Sequence, residues 1–263
     1  MTSNSREYWE RIAAASLTQP QPLWRRHSDA VNSECVARWL PSQRVRRMLK
    51  TDLFDEALGT GLYPALDHKA DQVYGVDISL SIKRQALVHY PRLKAAVADV
   101  RHMPFANASF DVVVSISTFD HFHSLRDIGN SLSEVSRILV PGGRLILTLD
   151  NLQNPLIALR GALSLPTLNY WNIVPYFVGV TCGHDQLTSL VQASGLSVLA
   201  IRAILHCPRV LAVPLAGYFD KHCEQPSIFE RFARFLRLNE NLEKLPTRFL
   251  TGHYVALLAE KPL

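Results

Sequence analysis

The sequence predicts an α/β protein with an open, doubly wound sheet. Two observations carry this prediction. First, from Lys50 onward short apolar runs, bounded by polar residues or glycine, alternate with amphipathic segments. Second, the runs are rich in Val and Ile, as buried parallel strands are, and the alternation is typical of βαβ units. The predicted strands of this region are Leu53–Ala57, Val73–Val76, Leu93–Ala98, Phe110–Ile116 and Arg144–Leu149.

The segments around this repeat predict a cap and two insertions. Residues 1–49 show helical patterns without strand alternation, so we expect an N-terminal helical cap, followed by one domain over 50–263. The rhythm breaks at residues 151–183 and again at 205–250. Both stretches are too long for simple connections and are interpreted as lids or substrate walls, or alternatively as an extra packing layer. The remaining predicted elements are a helix from His184 to Gly195, capped by Asp185, and strands Ser197–Ile204 and Tyr254–Ala259.

Composition narrows the class of protein. The 263 residues are 48% hydrophobic and 19% charged, which is ordinary for a folded globular chain. No apolar stretch approaches the length of a bilayer span, and the polar N-terminus has no signal-peptide core, so a cytoplasmic protein is expected. The net charge of +5 permits weak attraction to anions. Because no RNA-binding signature accompanies the basic groups, a nucleic-acid partner is not predicted.

The cysteines predict neither disulfides nor a metal site. Four are scattered without a CxxC pair, and in a chain of this length they are expected to be reduced thiols. Three lie close to a histidine, in the pairs Cys182 with His184, His206 with Cys207, and His222 with Cys223. Neighbouring residues on one strand or helix point in different directions, so no metal is predicted from these pairs.

The segment richest in chemistry is the acidic, glycine-containing turn from Asp55 to Gly61. A predicted strand ends in Asp55 and Glu56 and runs into Gly59 and Gly61. Because glycine has no Cβ, the backbone at these two positions can approach a ligand closely. A carboxylate at a strand end can accept hydrogen bonds from a cationic or hydroxyl-bearing ligand.

Two further acids follow at the ends of the next two predicted strands. Asp77 ends the second strand, where a carboxylate can accept from both hydroxyls of a ribose. Asp99 ends the third, where it can accept from an adenine amino group while Val100 or Met103 covers the ring. Since the carboxyl ends of parallel strands meet at one edge, we expect the three acids to converge on one crevice.

The stretch from Leu53 to Asn151 resembles the class I S-adenosylmethionine (SAM)-dependent methyltransferase superfamily, in its UbiE-like or type 11 branch. Each matching motif is weak alone, but their order over about a hundred residues is specific. The motifs are Asp55-x-Ala57-x-Gly59-Thr60-Gly61, Gly75-Val76-Asp77-Ile78-Ser79, Ala98-Asp99 with Met103-Pro104-Phe105, Ser109–Ser115, Phe119-Asp120-His121-Phe122 and Leu139–Leu145.

The resemblance implies SAM as cofactor, with S-adenosylhomocysteine or methylthioadenosine as by-product. It also implies a Rossmann-like sheet of seven strands whose last strand, Tyr254–Ala259, runs antiparallel. Its implied cofactor residues are Asp55, Gly59 and Gly61 at the amino-acid arm, Asp77 and Ile78 at the ribose, Asp99 and Val100 at the adenine, and Ser117 beside the methionine moiety.

The glycine turn departs from the family at two positions. Ala57 stands where the first glycine is usual, which is a small change. Glu56 stands at a position that is usually apolar, and we expect it to reach the ligand's ammonium group or an N-terminal arginine. A nicotinamide cofactor fits less well, because Pro64 occupies the third glycine position of a GxGxxG turn.

Catalytic residues are expected just past the fourth strand. Methyl transfer from a sulfonium is an in-line displacement in which positioning supplies most of the acceleration. A hydroxyl or ammonium acceptor also needs a base, for which Asp120 and His121 are the candidates, with His184 as a substitute. Tyr176 belongs to an aromatic group with Tyr170, Trp171 and Phe177 that faces the sulfonium or, alternatively, forms the core of a lid.

Three functions are compatible with these residues. The first is a methyltransferase acting on a small or carrier-bound metabolite. The second uses the same cofactor for intramolecular chemistry that releases methylthioadenosine, as in azetidine-2-carboxylate synthases. The third is a non-catalytic, methyltransferase-like binding subunit, supported by the departures at Glu56 and Ala57. The sequence determines neither the acceptor nor the oligomeric state.

Overall fold

The strands form one seven-stranded sheet in the order β3-β2-β1-β4-β5-β7-β6. A computed structural model of the protein describes residues 3–18, 22–163, 167–168, 176–223 and 225–263. The strands are β1 Val45–Lys50, β2 Ala70–Asp77, β3 Lys94–Val97, β4 Phe110–Ile116, β5 Leu139–Asp150, β6 Ser197–Ile204 and β7 Tyr254–Glu260. The first five pair in parallel, whereas β7 lies antiparallel between β5 and β6. The Rossmann-like sheet with its antiparallel last strand is therefore confirmed.

Helices cover both faces of the sheet and continue into the two inserted regions. They are α1 Ser3–Thr18, α2 Pro22–Trp39, α3 Phe54–Leu58, α4 Tyr63–Asp67, α5 Leu80–His89, α6 Leu125–Ile138, α7 Pro155–Ala162, α8 His184–Ala193, α9 Arg209–His222, α10 Pro226–Asn239 and α11 Arg248–Thr251. Short 3₁₀ helices lie at Phe119–His121 and Glu240–Lys244. Helix α8 is capped by Gly183, so Asp185 lies in the first turn and is not the cap that the sequence predicted.

Two apolar cores pack on opposite faces of the sheet. Adjacent β1 residues point to opposite faces, so Met48 joins one core and Leu49 the other. The first core includes Trp24 and Val36 of α2, which places the N-terminal helices on that face. The second is built mainly with α6 and α8. The N-terminal helices thus share a core with the sheet.

The first strand lies earlier in the chain than the sequence predicted. Strand β1 is Val45–Lys50, and the predicted strand Leu53–Ala57 instead begins helix α3. Basic side chains in β1 hide its apolar pattern, although Met48 and Leu49 are fully buried. The predicted absence of strands from the first fifty residues is wrong, and the boundary placed after residue 49 falls inside β1.

Candidate cofactor and acceptor site

The carboxyl ends of β1, β2 and β4 meet in one hydrogen-bonded group. The Thr51 hydroxyl lies 3.0 Å from the Thr118 hydroxyl, which donates to Asp52 Oδ2 at 3.2 Å. The Leu53 amide donates to Asp77 Oδ2 at 2.9 Å. The end of β1 is thus held between the ends of its two neighbours. Asp52, rather than Asp55, is the acid closest to the end of β1, because that strand ends earlier than predicted.

Asp77 lies where a ribose-binding carboxylate is expected. Its Oδ1 accepts from the Ser79 amide at 2.8 Å, and its Oδ2 accepts from Leu53. Each carboxylate oxygen retains a second lone pair for a ligand hydroxyl. Burial raises the pKa of Asp77 to about 7, and the nearby Asp52 contributes to the same shift. The two amide hydrogen bonds and the charge of Lys50 therefore do not fully offset the effect of burial on this carboxylate.

The glycine turn closes around carboxylates of the chain itself. Gly61 has φ +57°, a conformation that favours glycine, and its amide donates to Asp29 Oδ2 at 3.1 Å. A Cβ at Gly61 would lie 2.6 Å from Glu56 Oε1, so a side chain cannot be accommodated there. Glu56 Oε1 also accepts from the Leu62 amide at 2.8 Å. A Cβ added at Gly59 would lie 3.4 Å from Asp29 Oδ2, so the same carboxylate lies beside both glycines.

Glu56 supports this turn from inside the protein. Its carboxylate lies 2.8 Å from Lys50 Nζ, and both side chains are about fully buried. The charges of Asp52 and Glu56 outweigh burial and raise the pKa of Lys50, which therefore stays charged. The N-terminal arginine expected at Glu56 instead meets Asp55, through Arg25 Nη1 at 3.1 Å. Glu56 is thus inaccessible to a ligand's ammonium group in this conformation.

The turn and the neighbouring strand ends carry more acidic than basic side chains. The cations Lys50 and Arg25 face the acids Asp29, Asp52, Asp55, Glu56 and Asp77. Burial and the charge of Asp55 raise the pKa of Asp29 to about 7. These carboxylates fit SAM, because its sulfonium and ammonium groups supply positive charge and its ribose supplies hydroxyl donors. A phosphate-bearing cofactor would meet repulsion here.

The expected adenine residues are present, but Asp99 is already paired. Its carboxylate receives hydrogen bonds from the Arg101 side chain, including Nη2 to Oδ2 at 2.7 Å. These bonds outweigh burial and lower the pKa of Asp99. Val100 is buried in the second core, and Ile78 is half-buried just after β2. Arg101 also lies over the ring of Phe122, 5.1 Å from its centroid.

On the other side of the crevice, Ser117 and Asp120 form a buried pair. Ser117, at φ +50°, follows β4, and its hydroxyl donates to Asp120 Oδ2 at 2.7 Å. Asp120 Oδ1 is buried and has no hydrogen-bond partner among the described residues. Burial raises the pKa of Asp120, and the charge of Asp150 adds to that effect. One carboxylate oxygen therefore remains available to a ligand.

His121 lies in an aromatic group closed by the N-terminal helix. Its ring centroid lies 4.8 Å from Trp9 of α1 and 5.5 Å from Tyr176. His121 Nδ1 lies 3.1 Å from the Phe177 carbonyl, which can only accept, so Nδ1 is the donor in this contact. The Phe177 amide donates to Tyr8 Oη. Tyr170 and Trp171, predicted to join this group, lie outside the described residues.

A second buried polar group extends this side of the site. Asp150, at the end of β5, meets Arg160 Nη2 at 2.5 Å and lies 3.2 Å from His253 Nε2. Arg209 Nη1 lies 3.0 Å from the same nitrogen and donates to Tyr254 Oη at 2.9 Å. Burial lowers the pKa of His253 to about 4, and the charge of Arg209 lowers it further, so the imidazole is neutral. His184, the substitute base, instead pairs with the exposed Asp185.

Sequence reasoning missed the residues that helix α1 contributes. Glu10 Oε1 accepts from the Leu80 amide at 2.5 Å, and Glu10 Oε2 accepts from the Ser79 hydroxyl at 3.1 Å, so this carboxylate caps α5 beside Asp77. Trp9, the preceding residue, contacts His121 on the acceptor side. Helix α1 therefore spans both halves of the crevice. An exposed-looking helix without a motif gives no signal for such contacts, and Asp52 was missed because the strand that precedes it was misplaced.

Comparisons with known proteins agree with this geometry. Residues 54–147 match a family described as a methyltransferase domain. An O-methyltransferase of Pyrenophora dematioidea is 29% identical over 137 residues, which is 52% of this chain and 46% of that protein. The chain spans between 20% and 46% of the length of the curated relatives it matches.

Solved structures share the fold at low identity. Phosphoethanolamine N-methyltransferase 2 of Haemonchus contortus, in complex with SAM, matches with a TM-score of 0.59 and 22% identity, over 88% of this chain and 52% of that one. The [4+2]-cyclase SpnF matches with a TM-score of 0.59 and 17% identity, over 88% and 80%. The cofactor predicted from the sequence, SAM, is supported by the family match. The chain is thus similar to class I SAM-dependent methyltransferases, in the family match over residues 54–147 and in its fold.

Proposed function

We propose that the protein transfers the methyl group of SAM to a small-molecule or carrier-bound metabolite. One observation carries the proposal: Asp120 presents a buried oxygen without a hydrogen-bond partner among the described residues, next to the aromatic group of Trp9, His121 and Tyr176. A buried unpaired carboxylate oxygen is costly unless a ligand satisfies it. A hydroxyl or ammonium acceptor would do so.

The cofactor would be held by the acidic side of the crevice. Asp77 would accept from the ribose hydroxyls, and Asp52 with the turn at Gly59 and Gly61 would face the amino-acid arm. Asp99 and Val100 would border the adenine, and Ser117 would lie next to the methionine moiety. When bound, SAM supplies an electrophilic methyl group on a sulfonium.

Two groups of the chain can handle the acceptor's proton. Asp120 has a raised pKa because it is buried near Asp150, which makes its ionised form a stronger base than an ordinary aspartate. His121 donates to the Phe177 carbonyl through Nδ1, so its Nε2 is the ring nitrogen that would accept the proton. The surrounding rings of Trp9 and Tyr176 exclude water and present π density to a cation.

Intramolecular SAM chemistry is the second candidate, favoured by one observation. Helix α1 already contacts both halves of the crevice, through Glu10 and Trp9, and a closed site leaves little room for a separate acceptor. The fold is also shared with a [4+2]-cyclase, SpnF. The non-catalytic alternative would rest on the inward-facing Glu56 and predicts no SAM binding.

The test is to incubate the purified full-length chain with SAM alone, and then with fractions of a metabolite extract, separating products by mass spectrometry. S-adenosylhomocysteine that forms only with an extract fraction, together with a product heavier by one methylene, is the expected result. Methylthioadenosine formed from SAM alone would replace transfer with intramolecular chemistry. Intact SAM that is not retained on desalting would overturn both and leave the binding subunit.

A further inference from the structure

A second chemically defined cluster lies outside the crevice. His27 of α2, Cys207 after β6 and Glu240 at the start of a 3₁₀ helix come together from three separate parts of the chain. Cys207 Sγ lies 3.6 Å from His27 Nε2, which lies 3.8 Å from Glu240 Oε1. The three ligand atoms all lie within 4.8 Å of one another.

These separations suit a tetrahedral ion. With metal–ligand bonds of roughly 2.0–2.3 Å, the edges of the tetrahedron are about 3.3–3.8 Å long. Two of the three separations are within or close to that range, so small side-chain adjustments would bring all three ligands onto one ion. Thiolate, imidazole and carboxylate together are a ligand set that selects zinc over calcium or magnesium.

The ligand atoms of the cluster face one another inside the protein. The His27 side chain is 1% exposed, and its Nδ1 has no hydrogen-bond partner among the described residues. Its Nε2 points into the cluster.

Glu240 can serve as a ligand while it keeps its present contacts. Its Oε1 accepts from the His206 amide at 3.0 Å and its Oε2 from the Leu205 amide at 3.1 Å. Each oxygen retains a lone pair, since a carboxylate offers about four acceptor positions. The side chain is 24% exposed, which gives an ion and a water molecule a route from solvent.

A simple buried hydrogen bond explains less. In that arrangement the Cys207 thiol donates to His27 Nε2, and no ion is needed. The neutral imidazole then offers nothing to Glu240, because its Nε2 is an acceptor and its Nδ1 proton faces no partner among the described residues. The carboxylate would remain beside a histidine that does not neutralise it.

We propose that His27, Cys207 and Glu240 bind a zinc ion, with water in the fourth position. On binding, the Cys207 S–H bond breaks, the sulfur bonds to zinc, and the proton passes to solvent. The ion would join α2 to the segment between β6 and β7, and this proposal does not depend on the methyltransferase activity. For the sequence prediction, Cys207 was considered together with the adjacent His206. In the structure, the histidine that Cys207 contacts is His27, which lies 180 residues away in the chain.

The test uses the full chain after chelation and desalting, loaded with ZnCl₂ or CoCl₂ and desalted again. The wild-type chain should retain about one zinc per chain by elemental analysis, and cobalt should give a thiolate charge-transfer absorption. Cys207→Ser should lose both signals. Cys182→Ser removes an equally buried thiol outside the cluster and should retain both.

Zinc at a hundred times its Kd should also raise the wild-type Tm by roughly 5–10 °C. If Cys207→Ser does not fold by circular dichroism, His27→Gln provides the same comparison. Zinc in Cys207→Ser or His27→Gln equal to the wild type, or no stoichiometric zinc in the folded wild type, would overturn the site and leave the thiol–imidazole hydrogen bond.

Discussion

The two halves of the crevice differ in how their polar groups are satisfied. On the cofactor side, Asp77 and Glu56 accept hydrogen bonds from backbone amides, and the glycine turn folds around them. On the acceptor side, Asp120 keeps an oxygen without a partner among the described residues, and the adjacent His121 contacts Trp9 and Tyr176, which come from distant segments. The first half is a preformed local structure, whereas the second is assembled by tertiary contacts and keeps one buried oxygen without a partner among the described residues.

The comparison predicts different consequences for the two halves. Changes on the acceptor side should reduce turnover and leave cofactor affinity and folding nearly unaltered. Changes on the cofactor side should reduce stability or cofactor affinity, because those carboxylates also hold the backbone.

The largest effect is expected at Asp120. Asp120→Asn removes the base and, by general acid–base precedent, should reduce kcat about 10²–10⁴-fold. SAM affinity, measured by calorimetry, should change less than about threefold, since Asp120 lies on the other side of the crevice. Asp185→Asn, at an exposed position in α8, is the matched control and should turn over normally. Full turnover in the Asp120→Asn variant would show that positioning of the substrates is enough for catalysis and that Asp120 is not the base.

Glu56→Gln should destabilise the fold by roughly 3 kcal/mol, because it weakens a buried ion pair and leaves Lys50 short of a partner. The free energy of unfolding in urea measures this. Asp71→Asn breaks the exposed pair with Arg44 and should cost less than about 1 kcal/mol. Equal losses in the two variants would contradict the role assigned to Glu56 inside the turn.

Asp77→Asn should weaken SAM binding about 100-fold, since it removes the charge that strengthens two hydrogen bonds to the ribose. Asp71→Asn, at the start of the same strand, should bind SAM as the wild type does. Calorimetric titration gives both values. Unchanged affinity in Asp77→Asn would move the ribose to another carboxylate, and Asp52 is the nearest candidate.

The smallest effect is the pH dependence of binding. Asp77 has a pKa raised to about 7 in the free protein, and the ionised form is the better acceptor. SAM affinity should therefore rise roughly tenfold from pH 6 to pH 8. The free protein should behave oppositely: a raised folded-state pKa contributes stability that is present at low pH and is lost as the pH rises through about 7.

Two measurements separate these effects. Isothermal titration at several pH values gives the affinity, and urea unfolding of the free protein gives the stability. Both slopes should shrink in Asp77→Asn. An affinity that is flat from pH 6 to pH 8 would mean that Asp77 is already ionised in the free protein.

No helix among the described residues is long and apolar enough to cross a bilayer. All four cysteines are free thiols, as the sequence predicted.

The sequence prediction that no metal is bound considered only cysteine and histidine residues that are neighbours in the chain. The members of the cluster at His27 and Cys207 are distant in the chain and meet only after folding, so a comparison of sequence neighbours does not bring them together.

The sequence by itself determined the elements whose signal is local. Strands β4 and β6 begin and end at the predicted residues, because burial of a strand requires apolar side chains at positions that are close together in the sequence. The acid at the end of β2 was found in the same way. Strand β1 was misplaced, because Arg46, Arg47 and Lys50 mask a pattern that only the packing of Met48 and Leu49 reveals.

Only the tertiary structure decided which polar groups meet. Glu56 pairs with Lys50 because the turn after β1 folds back over that strand, and Arg25 reaches Asp55 because α2 packs beside the turn. Trp9 contacts His121 because α1, the helix before α2, packs against the segment that follows β4. Such contacts depend on the relative placement of whole helices, which is fixed by burial summed over many residues. The residue pattern within one segment does not indicate how that segment is placed relative to the others.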